Sequence, residues 1–222
     1  RPALCVTYPL AFQPVLFMDT GATADPTPEI LTQFAHMGAI YAERVLGIAD
    51  PRVGLLANGE EEEKGTMILR DTFAQLKTSS LNFVGNIEPK EAVRGMADVL
   101  VTDGFTGNIH IKTAEAMASF LKHIVKRDVL GPALSKVGLA LMIPGVILAL
   151  PGLLLLSPGL RRLARRIDYS EVGGALLLGV NGVVVVGHVR SNAKAVMSAV
   201  QRAREAVAAS VVPTIAAGLT GR

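Results

Sequence analysis

From Arg1 to about Arg127, short apolar runs alternate with stretches whose apolar positions recur three and four residues apart. That alternation predicts a succession of βα units. Val15 to Asp19 is a short apolar run that ends in the polar loop Asp19-Thr20-Gly21-Ala22. Asp25 or Thr27 can cap the helix that follows, with Pro26 or Pro28 in its first turn, and Ile30, Phe34, Met37 and Tyr41 share one face of it. Val53 to Ala57 predicts the next strand, and Met67 to Leu76 the next helix, with Leu69, Phe73 and Leu76 inward. Leu81 to Val84 is a short strand followed by a helix after Pro89. Val99 to Val101 is a buried strand, and Ala114, Met117, Leu121 and Ile124 mark a long helix after it. Strands apolar on both faces, each followed by a helix, imply a parallel sheet covered on two sides. The fold class is α/β.

The pattern changes toward the C-terminus. Ala175 to Val180 and Val183 to Val186 flank Asn181-Gly182, a strong signal for a tight β-hairpin. Ala193, Val196, Val200, Ala203 and Val207 then form a helical stripe, with Lys194, Arg202 and Glu205 off it. Between these parts, Val137 to Ser157 carries no charge, which is long enough to raise the question of a membrane span. Pro-Gly pairs at 144–145, 151–152 and 158–159 argue against one, because lipid cannot satisfy the backbone groups they free. Lys136 precedes the segment, and Arg161, Arg162, Arg165 and Arg166 follow it. Apolar residues beside a basic cluster suit an anionic membrane surface. The expectation is therefore a single α/β domain over 1–222, with residues 137–160 inserted as a hairpin that contacts membrane or a partner subunit.

Composition narrows the classes. With 50% hydrophobic and 18% charged residues, the chain is neither disordered nor a nucleic-acid-binding arm. A net charge of +3 is too small to argue for nucleic acid. The single Cys5 cannot form an internal disulfide, which suits a reducing compartment. No signal peptide is visible after Arg1, and the sequence is expected to be a fragment of a longer polypeptide.

Three loops follow predicted strands, where open α/β sheets place ligands. Asn58-Gly59-Glu60-Glu61-Glu62-Glu63-Lys64-Gly65 sets four acids beside a lysine. The acids can serve a helix N-terminus, or Lys64 can hold an anionic group with help from backbone donors. In Asp103-Gly104-Phe105-Thr106-Gly107-Asn108, the glycines let backbone approach a ligand and Asn108 supplies an amide, although an ordinary strand-to-helix turn reads the same way. Gly187-His188-Val189-Arg190-Ser191-Asn192 is the third, with Ser191 or Asn192 as a helix cap. There is no Walker loop, G-x-S-x-G, H-E-x-x-H, C-x-x-C or G-x-G-x-x-G. The residues alone point to an α/β protein that handles an anionic ligand near a membrane.

Taken in order, the loops resemble a family. The succession is Phe17-Met18-Asp19-Thr20-Gly21-Ala22, Phe34-Ala35-His36-Met37-Gly38, Asn58-Gly59-Glu60-Glu61 with Lys64-Gly65, and Gly85-Asn86-Ile87-Glu88. Asp103 to Asn108 with Lys112, Gly173-Gly174-Ala175, and His188 with Ser191 complete it. This set resembles the PlsX-type phosphate acyltransferases of bacterial phospholipid synthesis. Thr23 departs from the usual Asn, Arg190 from a usual Gly, and the family's N-terminal third has no counterpart.

The resemblance implies a three-layer, Rossmann-like, mostly parallel sheet similar to phosphate acetyltransferases and isopropylmalate dehydrogenases. It implies acyl transfer from acyl-[acyl carrier protein] to inorganic phosphate, no metal or organic cofactor, no nucleic acid, and a cytoplasmic homodimer bound peripherally to the inner face of the membrane. Lys64 is expected to meet phosphate or transition-state charge, and Asn108 with the 104–108 backbone the carbonyl oxygen. Asp103 and Glu60 would orient them, and His188 would protonate the leaving thiolate. Asn58, Gly59, Gly65, Gly104, Gly107 and Gly21 would line the phosphate site. Lys122, Lys126, Arg127, Arg161, Arg162, Arg165 and Arg166 would meet the acidic carrier or lipid headgroups. The competing expectations are a related coenzyme A- or NAD-dependent enzyme on the same scaffold, and a non-catalytic membrane-docking remnant.

Overall fold

The computed structural model describes residues 1–8, 13–129, 132, 137, 140–143, 145, 152, 154–159, 174–187 and 191–220. They fall into two compact units, one formed by Arg1–Ile111 with Tyr169–Arg222 and the other by Lys112–Asp168.

The first unit is built on a seven-stranded sheet in the order β4-β3-β5-β2-β1-β6-β7. Its strands are β1 (Ala3–Tyr8), β2 (Val15–Met18), β3 (Val53–Leu56), β4 (Phe83–Ile87), β5 (Val99–Val101), β6 (Ala175–Leu178) and β7 (Val184–Val186). β4, β3, β5 and β2 run parallel. β1 is antiparallel to both β2 and β6, and β7 closes the edge as an antiparallel hairpin partner of β6. The α/β class and the mostly parallel core therefore stand as expected. The N-terminal strand β1 was not foreseen: it joins the parallel core to the C-terminal hairpin, pairing Cys5 with Met18 on one side and Leu176 on the other.

Every residue of β2, β3 and β5 is buried, as two-sided coverage of a parallel sheet requires. Helix α1 (Pro28–Arg44) begins at Thr27 with Pro28 in its first turn, and buries Leu31, Phe34, Met37 and Tyr41. Removing a Phe or Leu side chain of this kind from water contributes roughly 1.5–3 kcal/mol. Helix α2 (Met67–Lys77) is capped by the Thr66 hydroxyl and buries Phe73 and Leu76. The short α3 (Pro89–Arg94) starts in a capping box between Glu88 and Glu91 and stops at Gly95, whose φ is +72°. At the amino ends of β3 and β5, Arg52 grips Asp98 at 2.8 Å and the carbonyls of Gly95 and Met96. Burial pushes the Asp98 carboxyl up, but the Arg52 bonds and charge outweigh it and hold it below its ordinary value.

The hairpin forms with Leu177 opposite Val184, so the connection runs from Gly179 to Val183 and is wider than a two-residue turn. Helix α5 (Ala193–Ala208) is capped by Asn192, whose side chain accepts from the Ala195 amide at 2.9 Å. Its apolar stripe faces outward: Val196, Val200 and Val207 are all more than half exposed, and Ala206 is the buried contact. Periodicity located this stripe, but burial needs a covering surface, and among the described residues Val196, Val200 and Val207 are left uncovered. Helix α6 (Val211–Thr220) buries Val211 and Ile215. Cys5 is a core residue, and burial pushes its thiol far above the ordinary range, so it is no nucleophile.

Helix α4 (Gly104–Ile124) follows β5 and continues into a π-helical turn, Val125–Val129. Met117 and Leu121 on its expected stripe are exposed. In segment 137–160, residues 138–139, 144, 146–151, 153 and 160 lie outside the described residues. Among the large apolar residues described there, Leu141 and Leu155 are the most exposed, at 76% and 84%. Among the described residues no helix is long and apolar enough to cross a membrane.

Candidate functional site

Parallel strands deliver their carboxyl ends to one edge, and β3, β5 and β2 are neighbours there. The loops that follow them, 57–66, 102–103 and 19–27, therefore open onto the same edge, within about 10 Å across two strand spacings. Two of the three predicted loops meet here. His188, which belongs to the third, lies outside the described residues, as do Arg161, Arg162, Arg165 and Arg166 and the side chain of Lys122.

The loop after β2 is organised by Asp19, a fully buried acid that closes an all-apolar strand. Its carboxylate accepts backbone N–H bonds from Leu4 at 2.7 Å, Gly21 at 3.0 Å, Ala22 at 3.0 Å and Thr23 at 2.6 Å. Satisfying a buried carboxylate with converging amides fixes a loop tightly. The loop so shaped presents Gly21, with φ +143°, to Asn108: a Cβ there would lie 3.6 Å from Asn108 Nδ2. Asp19 was not among the expected site residues. Its signal was a charge ending a run of four apolar residues just before Gly21.

The loop after β5 differs from its expected role in one respect. Gly104 and Gly107 are used by the protein itself. A Cβ on Gly107 would lie 1.9 Å from the Asp19 carbonyl oxygen, and one on Gly104 would lie 2.8 Å from both Asp19 Oδ2 and the Thr23 carbonyl oxygen. The Gly104 amide donates to Thr23 O at 2.8 Å. Asp103 caps α4 by accepting from the Thr106 amide at 2.7 Å, and its carbonyl takes the Gly107 amide. These glycines let two loops pack together, and Asp103 shapes the helix start. Asn108, half-buried on the first turn of α4, keeps a side-chain amide with no hydrogen-bond partner among the described residues.

The loop after β3 carries the lysine. Helix α2 starts at Met67 with no acid in its first turn, so the four glutamates do not serve that helix N-terminus. Glu62 instead pairs with Lys77 at 2.7 Å, and Glu60 lies 3.6 Å from Lys90, which also pairs with Glu88. All four acids and Asn58 are exposed. Glu60 thus faces α3, and no contact links it to Lys64. Gly65 has φ +90°, the left-handed region that favours glycine, and it turns the chain into the Thr66 cap. Lys64 lies over Gly59, where a Cβ would come within 2.9 Å of its Cγ. Its ammonium is exposed and has no ion-pair partner among the described residues.

Behind the site, His110 on α4 stacks on Phe17 with ring centroids 5.2 Å apart and lies 5.3 Å from Tyr8. Its Nε2 has no partner among the described residues, and burial lowers its pKa, so it sits neutral against the sheet. Among the described residues no three His, Cys, Asp or Glu side chains group as metal ligands. In the second unit, Lys126 and Arg127 are exposed, and Arg127 pairs with Asp128. Among the described residues, these loops and the start of α4 offer the Lys64 ammonium without an ion-pair partner, the Asn108 amide without a hydrogen-bond partner and a tightly braced backbone, a combination suited to an anion and a polarised carbonyl.

The family model described as a fatty acid synthesis protein matches residues 1–213. The chain belongs to that family. Among curated relatives, phosphate acyltransferase from Geobacillus sp. (strain WCH70) is 43% identical over 216 residues, covering 97% of this chain and 61% of the relative. Phosphate acyltransferase from Desulforudis audaxviator is 44% identical over 219 residues, covering 99% and 61%. That from Heliobacterium modesticaldum is 40% identical over 222 residues, covering 100% and 62%. The chain thus spans about three fifths of the length of the curated relatives it matches. Among solved structures, a phosphotransacetylase from Streptococcus pyogenes matches with a TM-score of 0.42 at 19% identity, covering 54% of this chain and 42% of the other.

Proposed function

We propose that the edge formed by these loops transfers a long-chain acyl group from acyl-[acyl carrier protein] to inorganic phosphate. The observation that carries the reading is that Lys64, on the loop after β3, and the Asn108 side-chain amide, on the helix after β5, both lack a partner among the described residues, in a family whose relatives are named phosphate acyltransferases. Phosphate is already a nucleophile, so the protein's task is to hold it, orient it and stabilise the charge that develops on the carbonyl. A phosphate oxygen attacks the thioester carbon, and its electron pair forms the new C–O bond. The carbonyl oxygen of the tetrahedral intermediate carries the negative charge, which Asn108 Nδ2–H stabilises. Collapse breaks the C–S bond, and the carrier thiolate leaves and takes up a proton, with His188 as the proposed donor. The products are acyl phosphate and free carrier protein. Lys64 offsets the charge of the phosphate throughout. Asp19 and Asp103 act through the loops they brace and make no contact with the reacting atoms.

Carrier docking is assigned to Lys122, Lys126, Arg127 and the arginines at 161, 162, 165 and 166, with the exposed leucines Leu141 and Leu155 supporting a peripheral membrane contact. A homodimer in the cytoplasm, facing the inner leaflet, completes the reading. The test is hydroxylamine trapping of acyl phosphate formed from long-chain acyl-[acyl carrier protein]. Phosphate-dependent hydroxamate is expected, with Lys64→Ala lowering turnover about 10²- to 10³-fold, as removal of a transition-state charge contact does. Unchanged turnover in that variant would remove Lys64 from the chemistry. Hydroxamate formed equally without phosphate would remove phosphate as the acceptor.

A further inference from the structure

Asn86 is 5% exposed and sits in β4 opposite Leu55 of β3, one residue before the strand ends. Its Nδ2 donates to the carbonyl oxygen of Glu61 at 2.7 Å. The same carbonyl accepts the backbone N–H of Lys64 at 3.1 Å. One buried side chain on a rigid strand thus holds the acceptor around which the chain turns back to present Lys64. The other side-chain ties of this loop, Glu62 to Lys77 and Glu60 to Lys90, join exposed partners, and such pairs contribute little.

We propose that Asn86 is the positioning residue for Lys64, setting the phosphate affinity of the site through the Glu61 carbonyl. The inference rests on the reading of Lys64 as the phosphate cation. Residues 60–64 are all exposed, so without the buried tether the turn must be ordered at the moment of binding, and that entropy is subtracted from affinity. The chemistry asks for a neutral donor. A carboxylate in the same place would set oxygen against the Glu61 oxygen, and an aliphatic side chain would leave that carbonyl without its second bond. Asn86 Oδ1 has no partner among the described residues, which makes the donor bond to Glu61 the hold this side chain exerts on its surroundings.

The experiment is a double-mutant cycle on Asn86 and Lys64, read by calorimetric titration of this chain with inorganic phosphate, each variant first checked by thermal melting. Asn86→Asp, of nearly the same shape, serves beside Asn86→Ala in case the smaller side chain prevents folding. The expected result is a phosphate Kd raised about tenfold in either Asn86 variant, and less than twofold further weakening when Asn86→Ala is added to Lys64→Ala. A merely structural role would weaken both backgrounds alike. Wild-type affinity in a folded Asn86→Asp chain, or full effects that multiply across the cycle, overturns the inference while leaving Lys64 in place. An unchanged Kd in Lys64→Ala, or no phosphate binding by the unaltered chain, overturns the Lys64 reading and this inference with it.

Discussion

Gly107→Ala is expected to unseat the loop after β2 and cost at least about 3 kcal/mol, at the upper end of the range for overpacking. Alanine is the better helix former by roughly 1 kcal/mol, so at an ordinary helical site the same change would stabilise. Here the added methyl meets the Asp19 carbonyl oxygen at 1.9 Å and the Thr102 methyl at 2.8 Å. The first of these is backbone, and it is held in place because Asp19 donates its own amide to the Thr102 carbonyl at 2.9 Å. That backbone atom cannot rotate away as a flexible side chain would. Either α4 moves off the sheet or the Asp19 loop is displaced, and both separate Gly21 from Asn108. Urea unfolding should show a lower midpoint, and the folded fraction should lose phosphate binding. A midpoint at or above that of the unaltered chain would mean that the two loops do not pack this closely.

Removing the carboxylate itself should be comparably costly. Asp19→Ala leaves the amides of Leu4, Gly21, Ala22 and Thr23 without the acceptor that gathers them. Bonds to a charged acceptor contribute more than neutral ones, and buried donors left unpaired carry the full desolvation penalty. A loss of about 3–5 kcal/mol is expected, softened to the extent that water enters the space. Asp19→Asn should fall between, since one oxygen remains for some of the amides while the new NH2 group faces others. The ranking of wild type, Asn and Ala in denaturant midpoint checks the account. Equal stability of the Ala variant and the wild type would show that the loop is braced elsewhere.

These two positions also mark what the sequence could and could not convey. The buried strands Val53–Leu56 and Val99–Val101, the helix start at Pro28, the cap at Asn192 (one of the two candidates, with Ser191) and the helix after Pro89 are local events, written in apolar runs and in cap and proline chemistry. They were legible for that reason. Strand β1 was not, because its place is set by pairing with β2 and with β6, more than 170 residues away in sequence. The outward stripe of α5 was legible as a stripe, but its burial depends on a surface that periodicity does not describe. At the site, Lys64 and Asn108 stood out as polar residues of the right type in loops after strands, and the topology does bring those loops to one edge. Gly104 and Gly107 suggest close approach of a ligand in the sequence, and in the folded chain their missing side chains admit the Asp19 loop. Asp19 and Asn86 are polar groups at the ends of apolar strands, and their significance lies in hydrogen bonds to backbone atoms that only the folded chain assembles.

The central claim is that loops after β2, β3 and β5 form one anion site. It is tested most directly by following backbone amide resonances of this chain during titration with inorganic phosphate. The account predicts shifts at Gly21, Gly65 and Asn108 that saturate together with a single dissociation constant and vanish together in Lys64→Ala. Shifts confined to one loop, or different constants at the three positions, would contradict it.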